Sequence, residues 1–349
     1  MTGLVVACEG PQGPAGKDGQ DGNDGLPGTA ECKLCHNTTA RLDAKTVQWA
    51  NSKHGSGTNF ERNSSACAPC HTQQGFREVV STGAPTTAGT IKNPVGQTCK
   101  TCHFIHTNYD STDFKIVRTD PIKLYHTSNG TPGEADLGKV GNLCGQCHQA
   151  RAVAPFPKVG GSKISITSAY WGAHHSPVAN VFSGNGAYAM QGDKYKSPHT
   201  QGEICKTCHM AEAYGSQAGG HTWNMTYEYH GGETANISGC LTCHSEADFP
   251  KVGGHVTFDR HGVQTEVFND LSLIRMELAN RGWLDTTTSN GLFEFDRVIA
   301  SSSSPLELDP DDAGSLFNYL LLASDKSFGI HNPIYYKAIL ANVKQHLGL

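Results

Sequence analysis

One short residue pattern, repeated six times, constrains this chain more than any other feature. Twelve of its 13 cysteines form six pairs with two residues between them, and a histidine follows each pair directly. C-x-x-C-H is the signature of covalent c-type haem attachment. Six copies that use all but one cysteine are too many for coincidence. The sequence therefore predicts six covalently bound haem c groups.

The spacing has a chemical reason. Two intervening residues let both sulfurs reach one porphyrin edge from a single helical turn, and the next residue then binds the iron through its imidazole. The predicted thioether cysteines are Cys32, Cys35, Cys67, Cys70, Cys99, Cys102, Cys144, Cys147, Cys205, Cys208, Cys240 and Cys243. The predicted proximal iron ligands are His36, His71, His103, His148, His209 and His244.

Other uses of paired cysteines fit the pattern poorly. Zinc can be bound by four thiolates from two pairs, but it does not require a histidine after every second cysteine. A thioredoxin-like pair would occur once, near a βαβ pattern. A disulfide framework would not repeat one short spacing six times.

Distal iron ligands must come from histidines outside the motifs. Of the 18 histidines, twelve lie elsewhere, and six would complete bis-histidine ligation. The favoured candidates are His54, His106, His174, His175, His199, His221 and His331, with one of the adjacent pair His174 and His175 expected to bind. Alternatively, His331 is only the residue at which the chain enters a helix and does not bind iron. Bis-histidine iron carries electrons but has no position left for a substrate.

Composition indicates what holds the chain together. Apolar residues make up 37% and charged residues 17%, and there are 40 glycines. Both fractions are low for a soluble globular chain, so we expect a thin protein core in which porphyrins replace side-chain packing. The predicted fold is mostly α and irregular, with short helices around stacked haems. Residues 31–250 form the predicted hexahaem domain, and residues 251–349 form a helical C-terminal region packed on it.

The C-terminal region shows three helical patterns. Val267, Leu271, Ile274 and Leu278 mark one apolar face, with Gly282 as a stop. Asp309-Pro310 predicts a capped helix through Leu322. Asn332-Pro333 predicts a last helix with Ile334, Ile339, Val343 and Leu347 on its inner face.

The first 30 residues suggest export. Residues 1–8 resemble the remnant of a lipoprotein signal, with Cys8 as the lipidated residue; the alternative is an ordinary unpaired cysteine. Residues 9–30 contain Gly-x-y triplets, which we interpret as a flexible tether. The sequence has no run of 18 apolar residues that would span a membrane. A net charge of −5 excludes a nucleic-acid-binding surface.

Three further segments carry a family resemblance. They are His174-His175-Ser-Pro, Cys205–His209 with Met210 and the later Gly-Gly-His221-Thr, and Gly-Ile-His331-Asn-Pro. The chain resembles multihaem cytochromes of the group that includes pentahaem nitrite reductases, multihaem electron carriers and outer-surface multihaem cytochromes. The resemblance implies that His174 or His175, His199, His221 and His331 are axial ligands.

These observations favour electron transfer. Ammonia-forming nitrite reductases carry a C-x-x-C-K motif, whereas all six motifs here end in histidine, so an electron carrier is favoured over an enzyme. The expected partners are a redox donor and acceptor, and the expected location is the periplasm, outer membrane surface or extracellular space. Two alternatives stay open: an oxidoreductase acting on a small nitrogen or sulfur species at an open haem, and a subunit of a homo-oligomeric cytochrome filament.

Overall fold

The structure is a computed structural model that describes residues 40–190, 193–202 and 204–349. The first haem motif (Cys32, Cys35 and His36), Cys8 and the Gly-x-y tether lie outside the described residues.

Helices and irregular segments make up most of the described residues, and most of the helices are short. The longest three are the last three, and no earlier helix exceeds 11 residues. The helices are α1 (Ala40–Ala50), α2 (Lys53–Ser56), α3 (Ala68–His71), α4 (Gln73–Thr82), α5 (Cys99–Cys102), α6 (Lys139–Gly145), α7 (Val178–Phe182), α8 (Ile204–His209), α9 (Val263–Asn280), α10 (Pro310–Asp325) and α11 (Pro333–Leu347). Single 3₁₀ turns span Asn59–Glu61, Ser111–Phe114, Asp193–Tyr195, Pro198–Thr200, Gly220–Thr222, Cys240–Thr242, Glu246–Asp248, Arg260–Gly262 and Phe293–Phe295.

Short strands form five antiparallel pairs in the described part of the chain. The sequence analysis did not predict them. They pair β1 (Ile122–Leu124) with β2 (Gly133–Ala135), β3 (Ile164–Ile166) with β10 (Leu306–Leu308), β4 (Thr226–Tyr229) with β5 (Gly232–Ala235), β6 (Lys251–Val252) with β7 (His255–Val256), and β8 (Leu284–Asp285) with β9 (Arg297–Val298). The β3–β10 pair, with Ile166 opposite Leu306, ties the C-terminal region to the chain between motifs four and five.

The first C-terminal helix confirms its predicted apolar face. Helix α9 buries Val267, Leu271, Ile274 and Leu278. These positions repeat at the three- and four-residue spacing that lines one face of an α-helix. The helix ends before Gly282, whose φ of +74° is in the left-handed region that glycine adopts without strain.

The last two helices also begin where predicted, with differences in detail. Helix α10 runs on to Asp325, and the Asp309 side chain makes no capping hydrogen bond. The Asn332 side chain does cap α11 by accepting a hydrogen bond from the Tyr335 amide at 3.2 Å. The prediction for Ile334 is wrong, because its side chain is 44% exposed. It lies five residues before Ile339 and is thus turned about 140° around the helix from it.

A conventional apolar core holds these helices together. Its residues include Phe317 and Leu321 of α10 and Tyr335 and Ile339 of α11, all fully buried. The same cluster includes residues from before motif five, such as Val181. The expectation of a thin protein core is therefore wrong for this part of the molecule, because the apolar residues are concentrated here. Within the described ranges, none of the helices has the length and apolar content needed to cross a bilayer.

Two isoleucines of α11 provide a matched test of this core. Ile339→Ala removes a side chain that is 0% exposed, and we expect a loss of about 2–5 kcal/mol in the free energy of unfolding. Ile334→Ala is the control in the same helix and should change stability by no more than about 0.5 kcal/mol. Denaturant unfolding of the haem-loaded protein measures both. Equal losses in the two variants would contradict the core described here.

Candidate haem sites

Each described motif folds as one helical turn that presents its histidine. The histidine amide donates a hydrogen bond to the carbonyl of the first cysteine of its own motif in four motifs, at 3.1 Å for His71, 2.9 Å for His103, 3.0 Å for His148 and 2.9 Å for His244. In the remaining described motif, Cys205–His209, the same residues lie within α8. This turn brings both cysteines and the histidine to one end of a short helix, as the spacing predicts.

Each of these five motif histidines faces one histidine from elsewhere in the chain. The ring centres are separated by 6.3 Å for His71 and His174, 6.4 Å for His103 and His221, 6.0 Å for His148 and His54, 6.3 Å for His209 and His331, and 6.0 Å for His244 and His199. Two imidazoles bound on opposite sides of a metal, with bonds of ~2 Å, have ring centres roughly 6 Å apart. The five separations fit an iron ion between each pair.

Hydrogen bonds fix which ring nitrogen is free to bind iron. Nδ1 of His103, His199 and His209 lies 2.7, 2.7 and 3.0 Å from the carbonyl oxygens of Phe114, Ile330 and Trp223. A carbonyl only accepts, so Nδ1 carries the proton in each ring. In a neutral imidazole, Nε2 is then the unprotonated nitrogen and the available metal ligand.

Burial keeps most of the paired rings neutral. Burial lowers the pKa of His148, His174 and His221 to about 4 in each case. Burial also acts on His331, but the charge and hydrogen bond of Asp325 outweigh it and raise the pKa of His331. Because iron binds the neutral imidazole, low pKa values suit the ligand role.

No disulfide joins the cysteines of the described residues. Burial raises the pKa of Cys144 to about 12 and the pKa values of Cys102, Cys205 and Cys240 to about 11. Burial thus favours an uncharged sulfur at these four positions. In the part of the chain that the structure describes, no group of three or more histidine, cysteine or acidic side chains is placed to hold a metal ion. Uncharged thioethers suit these buried positions better.

Several haem motifs lie close to one another in the fold. Cys70 Sγ of motif two lies 3.9 Å from the Gln146 carbonyl oxygen, inside motif four. In turn, Gly141 of α6 packs so closely that an added Cβ would lie 3.3 Å from Cys205 Sγ of motif five. A Cβ on Gly239, which precedes motif six, would lie 2.3 Å from the Thr207 carbonyl oxygen of motif five. The attachment points thus form a continuous series from motif two through four and five to six.

Trp223 connects three of the histidine pairs. Its indole ring centre is 4.7 Å from that of His54 and 5.5 Å from that of His221, which face His148 and His103. Its backbone carbonyl is the hydrogen-bond acceptor for His209 described above. Trp223 adopts the left-handed region, with a φ of 54°, which is unusual for a residue with a bulky side chain. This conformation lets one residue contact three sites.

The remaining histidines occupy other surroundings. His106 stacks on Tyr109 with ring centres 5.7 Å apart. His175 lies beside His174 and Phe295, at 5.1 and 6.0 Å, so His174 is the member of that adjacent pair that faces a motif histidine. His126 is buried in the aromatic core against Phe156. His346 pairs with Asp312 through Nε2 at 2.9 Å, and His255 Nδ1 lies 3.0 Å from Thr234 Oγ1.

Comparison with solved structures identifies the architecture. The structure described as outer cell wall cytochrome OcwA matches 87% of this chain with a TM-score of 0.50, at 18% sequence identity. The chain has a multihaem cytochrome fold. A second match is the undecahaem cytochrome from the S-layer of Carboxydothermus ferrireducens, with a TM-score of 0.44, 18% identity and 88% of this chain covered. The chain spans 50% and 40% of those two chains. No family model and no curated protein matches the sequence.

Two residues with evident roles in this multihaem cytochrome fold escaped the sequence analysis. Trp223 follows Gly-Gly-His221-Thr, but nothing in that segment indicates that it contacts three sites. Asp325 binds His331 Nδ1 through Oδ1 at 2.8 Å from six residues upstream. An acidic residue at that distance forms no recognised motif with a histidine, so only the folded structure shows the pair.

Close contact between motifs five and six of this cytochrome fold leads to a testable expectation. Gly239→Ala places a methyl group against backbone atoms of Thr207 and Cys208 and should destabilise the haem-loaded protein by about 1–3 kcal/mol. Gly239 has an ordinary φ of −69°, so the effect would come from crowding. Gly89→Ala is the control, because a Cβ there meets nothing within 4 Å. Thermal unfolding compares the two, and equal melting temperatures would contradict the close approach.

Proposed function

We propose that this chain is a six-haem c-type cytochrome that carries electrons between redox partners outside the cytoplasm. The observation that carries the proposal is the set of five opposed histidine pairs, each joining a C-x-x-C-H histidine to one from another part of the chain. Such a set suits bis-histidine haem iron at every described motif.

The residue roles follow from the contacts. The two cysteines of each motif are the thioether attachment points, and the motif histidine is the proximal ligand. The opposed histidines supply the distal ligands: His54, His174, His199, His221 and His331. Bound haem would supply iron that gains and loses one electron while both imidazoles stay in place. The polypeptide holds the rings of His103, His199, His209 and His331 through hydrogen bonds at Nδ1, and it brings neighbouring attachment sites close together.

This arrangement favours an electron carrier over an oxidoreductase. An enzyme of this class needs an iron with an open position, and a second imidazole fills that position. Each of the five described motif histidines has such a partner. The haem of the first motif is the remaining place for an open site, so its distal ligand decides between the two functions.

We assign His106 as the distal ligand opposite His36. Helix α1 begins four residues after His36 and lies against the site of motif three. There, Gln48 Oε1 accepts a hydrogen bond from the His221 amide at 3.0 Å, and the Trp49 indole donates to the Gln97 carbonyl at 3.1 Å. His106 lies three residues after His103 of that motif. The end of α1, the helix that follows His36 in the chain, therefore lies beside the motif that His106 follows.

Export to the cell surface completes the proposal. OcwA, the solved structure with the same fold, is described as an outer cell wall cytochrome. A lipid on Cys8 and the Gly-x-y segment would hold the haem-bearing residues at a distance from a membrane surface. A haem array placed there could pass electrons to acceptors that do not enter the cell.

Spectroscopy and mass measurement test the haem proposal together. The intact mature protein should exceed its polypeptide mass by six haem groups, and its oxidised spectrum should be entirely low-spin, because every iron would have two imidazole ligands. His221→Ala removes one distal ligand and should convert about one haem in six to high-spin. His230→Ala is the control, because His230 lies against Tyr229 and faces none of the five described motif histidines. A measured mass equal to that of the polypeptide alone would refute the proposal.

A separate substitution tests the assignment of His106. His106→Ala should create one high-spin haem without changing the number of haems attached, since the thioether bonds do not depend on it. His346→Ala is the control, with its ring nitrogen already paired with Asp312. A high-spin haem in the unsubstituted protein, unaltered in His106→Ala, would refute the assignment and support the oxidoreductase alternative.

A further inference from the structure

A buried carboxylate contacts one of the proposed axial ligands. Asp325 is the last residue of α10, and its side chain is 0% exposed. Oδ1 lies 2.8 Å from His331 Nδ1. Oδ2 accepts hydrogen bonds from Ser327 Oγ at 2.6 Å and from the Tyr336 hydroxyl at 3.0 Å. Both oxygens are thus held in place by specific donors.

This contact differs from the other Nδ1 hydrogen bonds of the paired histidines. Those of His103, His199 and His209 go to backbone carbonyls, which carry no net charge. Asp248 lies near His244, but it forms an ion pair with Arg260 and its side chain is 31% exposed. The lysine next to Asp325, Lys326, pairs with Glu294 instead.

A buried anion at Nδ1 has a definite effect on a metal bound at Nε2. The carboxylate draws the Nδ1 proton toward itself, so the imidazole gains anionic character and donates more electron density to the metal. Burial strengthens this effect, because the surroundings of the carboxylate have a low dielectric constant. More donation stabilises the ferric ion relative to the ferrous ion, and hydrogen bonds to axial ligands are an established means of tuning haem potential.

We infer that Asp325 lowers the reduction potential of the haem held between His209 and His331 relative to its value with an uncharged partner at Nδ1. The inference rests on the proposed function, since it requires His331 to bind iron. It gives the haem-free C-terminal region a second role. That region supplies a ligand and also sets how readily the bound iron gives up its electron.

Spectroelectrochemical titration of the fully loaded protein tests this inference. The titration should resolve six one-electron components, one for each haem. In Asp325→Asn, the reduction equilibrium constant of one component should rise at least tenfold, which moves its potential by about 59 mV in the positive direction. The other components, the haem count and the low-spin spectrum should not change, because the asparagine oxygen still accepts from Nδ1. Asp312→Asn is the matched control, because it also neutralises a carboxylate bound to a histidine, the partly exposed His346. It should leave the potentials of all six components unchanged.

A second pair of variants separates the inference from the proposed function. His331→Ala should create one high-spin haem. If it does, and Asp325→Asn moves no component, the ligand assignment stands and the inference fails. If His331→Ala leaves every haem low-spin, both fail. Should Asp325→Asn not load haem, Tyr336→Phe decides, because it removes one donor to the carboxylate and so strengthens the carboxylate toward His331, while the hydrogen bond from the His331 amide to Ser327 is kept. It should move the same component to a more negative potential, and an unchanged titration would overturn the inference.

Discussion

Opposed imidazole rings at a fixed distance are the arrangement on which the rest of this structure depends. Each pair joins distant parts of the chain, and a ring must be held in orientation before it can face its partner across an iron. Backbone carbonyls do this for His103, His199 and His209 by accepting from Nδ1. Short helices, single 3₁₀ turns and irregular loops together build the sites.

The C-terminal core gives these loops a rigid frame. Three consecutive residues show how: the Ile330 carbonyl accepts from His199, His331 faces His209, and the Asn332 side chain donates to the carbonyls of Val181 and Phe182 at 3.2 Å each. The start of α11 thus serves two proposed haem sites and is itself tied to α7. The C-terminal core thus helps to position two of the proposed distal ligands, His199 and His331.

The sequence predicts the local parts of this structure and misses the pairings. The C-x-x-C-H turn and the apolar face of α9 depend on neighbouring residues, so spacing alone indicates them. The histidine pairs depend on the tertiary fold: His221 follows motif five but faces His103 of motif three. The paired strands span only two to four residues each, too few for an alternating pattern to be distinguished from loop sequence.

One consequence concerns the connectivity that Trp223 creates. In a linear series of haems, electrons have one route, and the loss of any haem interrupts it. Three proposed haem sites meet around a single indole and its carbonyl, so this part of the array is a junction with three arms. If haems occupy the three proposed sites, charge that arrives by one arm would have two exits, and the loss of one arm would leave the other two connected.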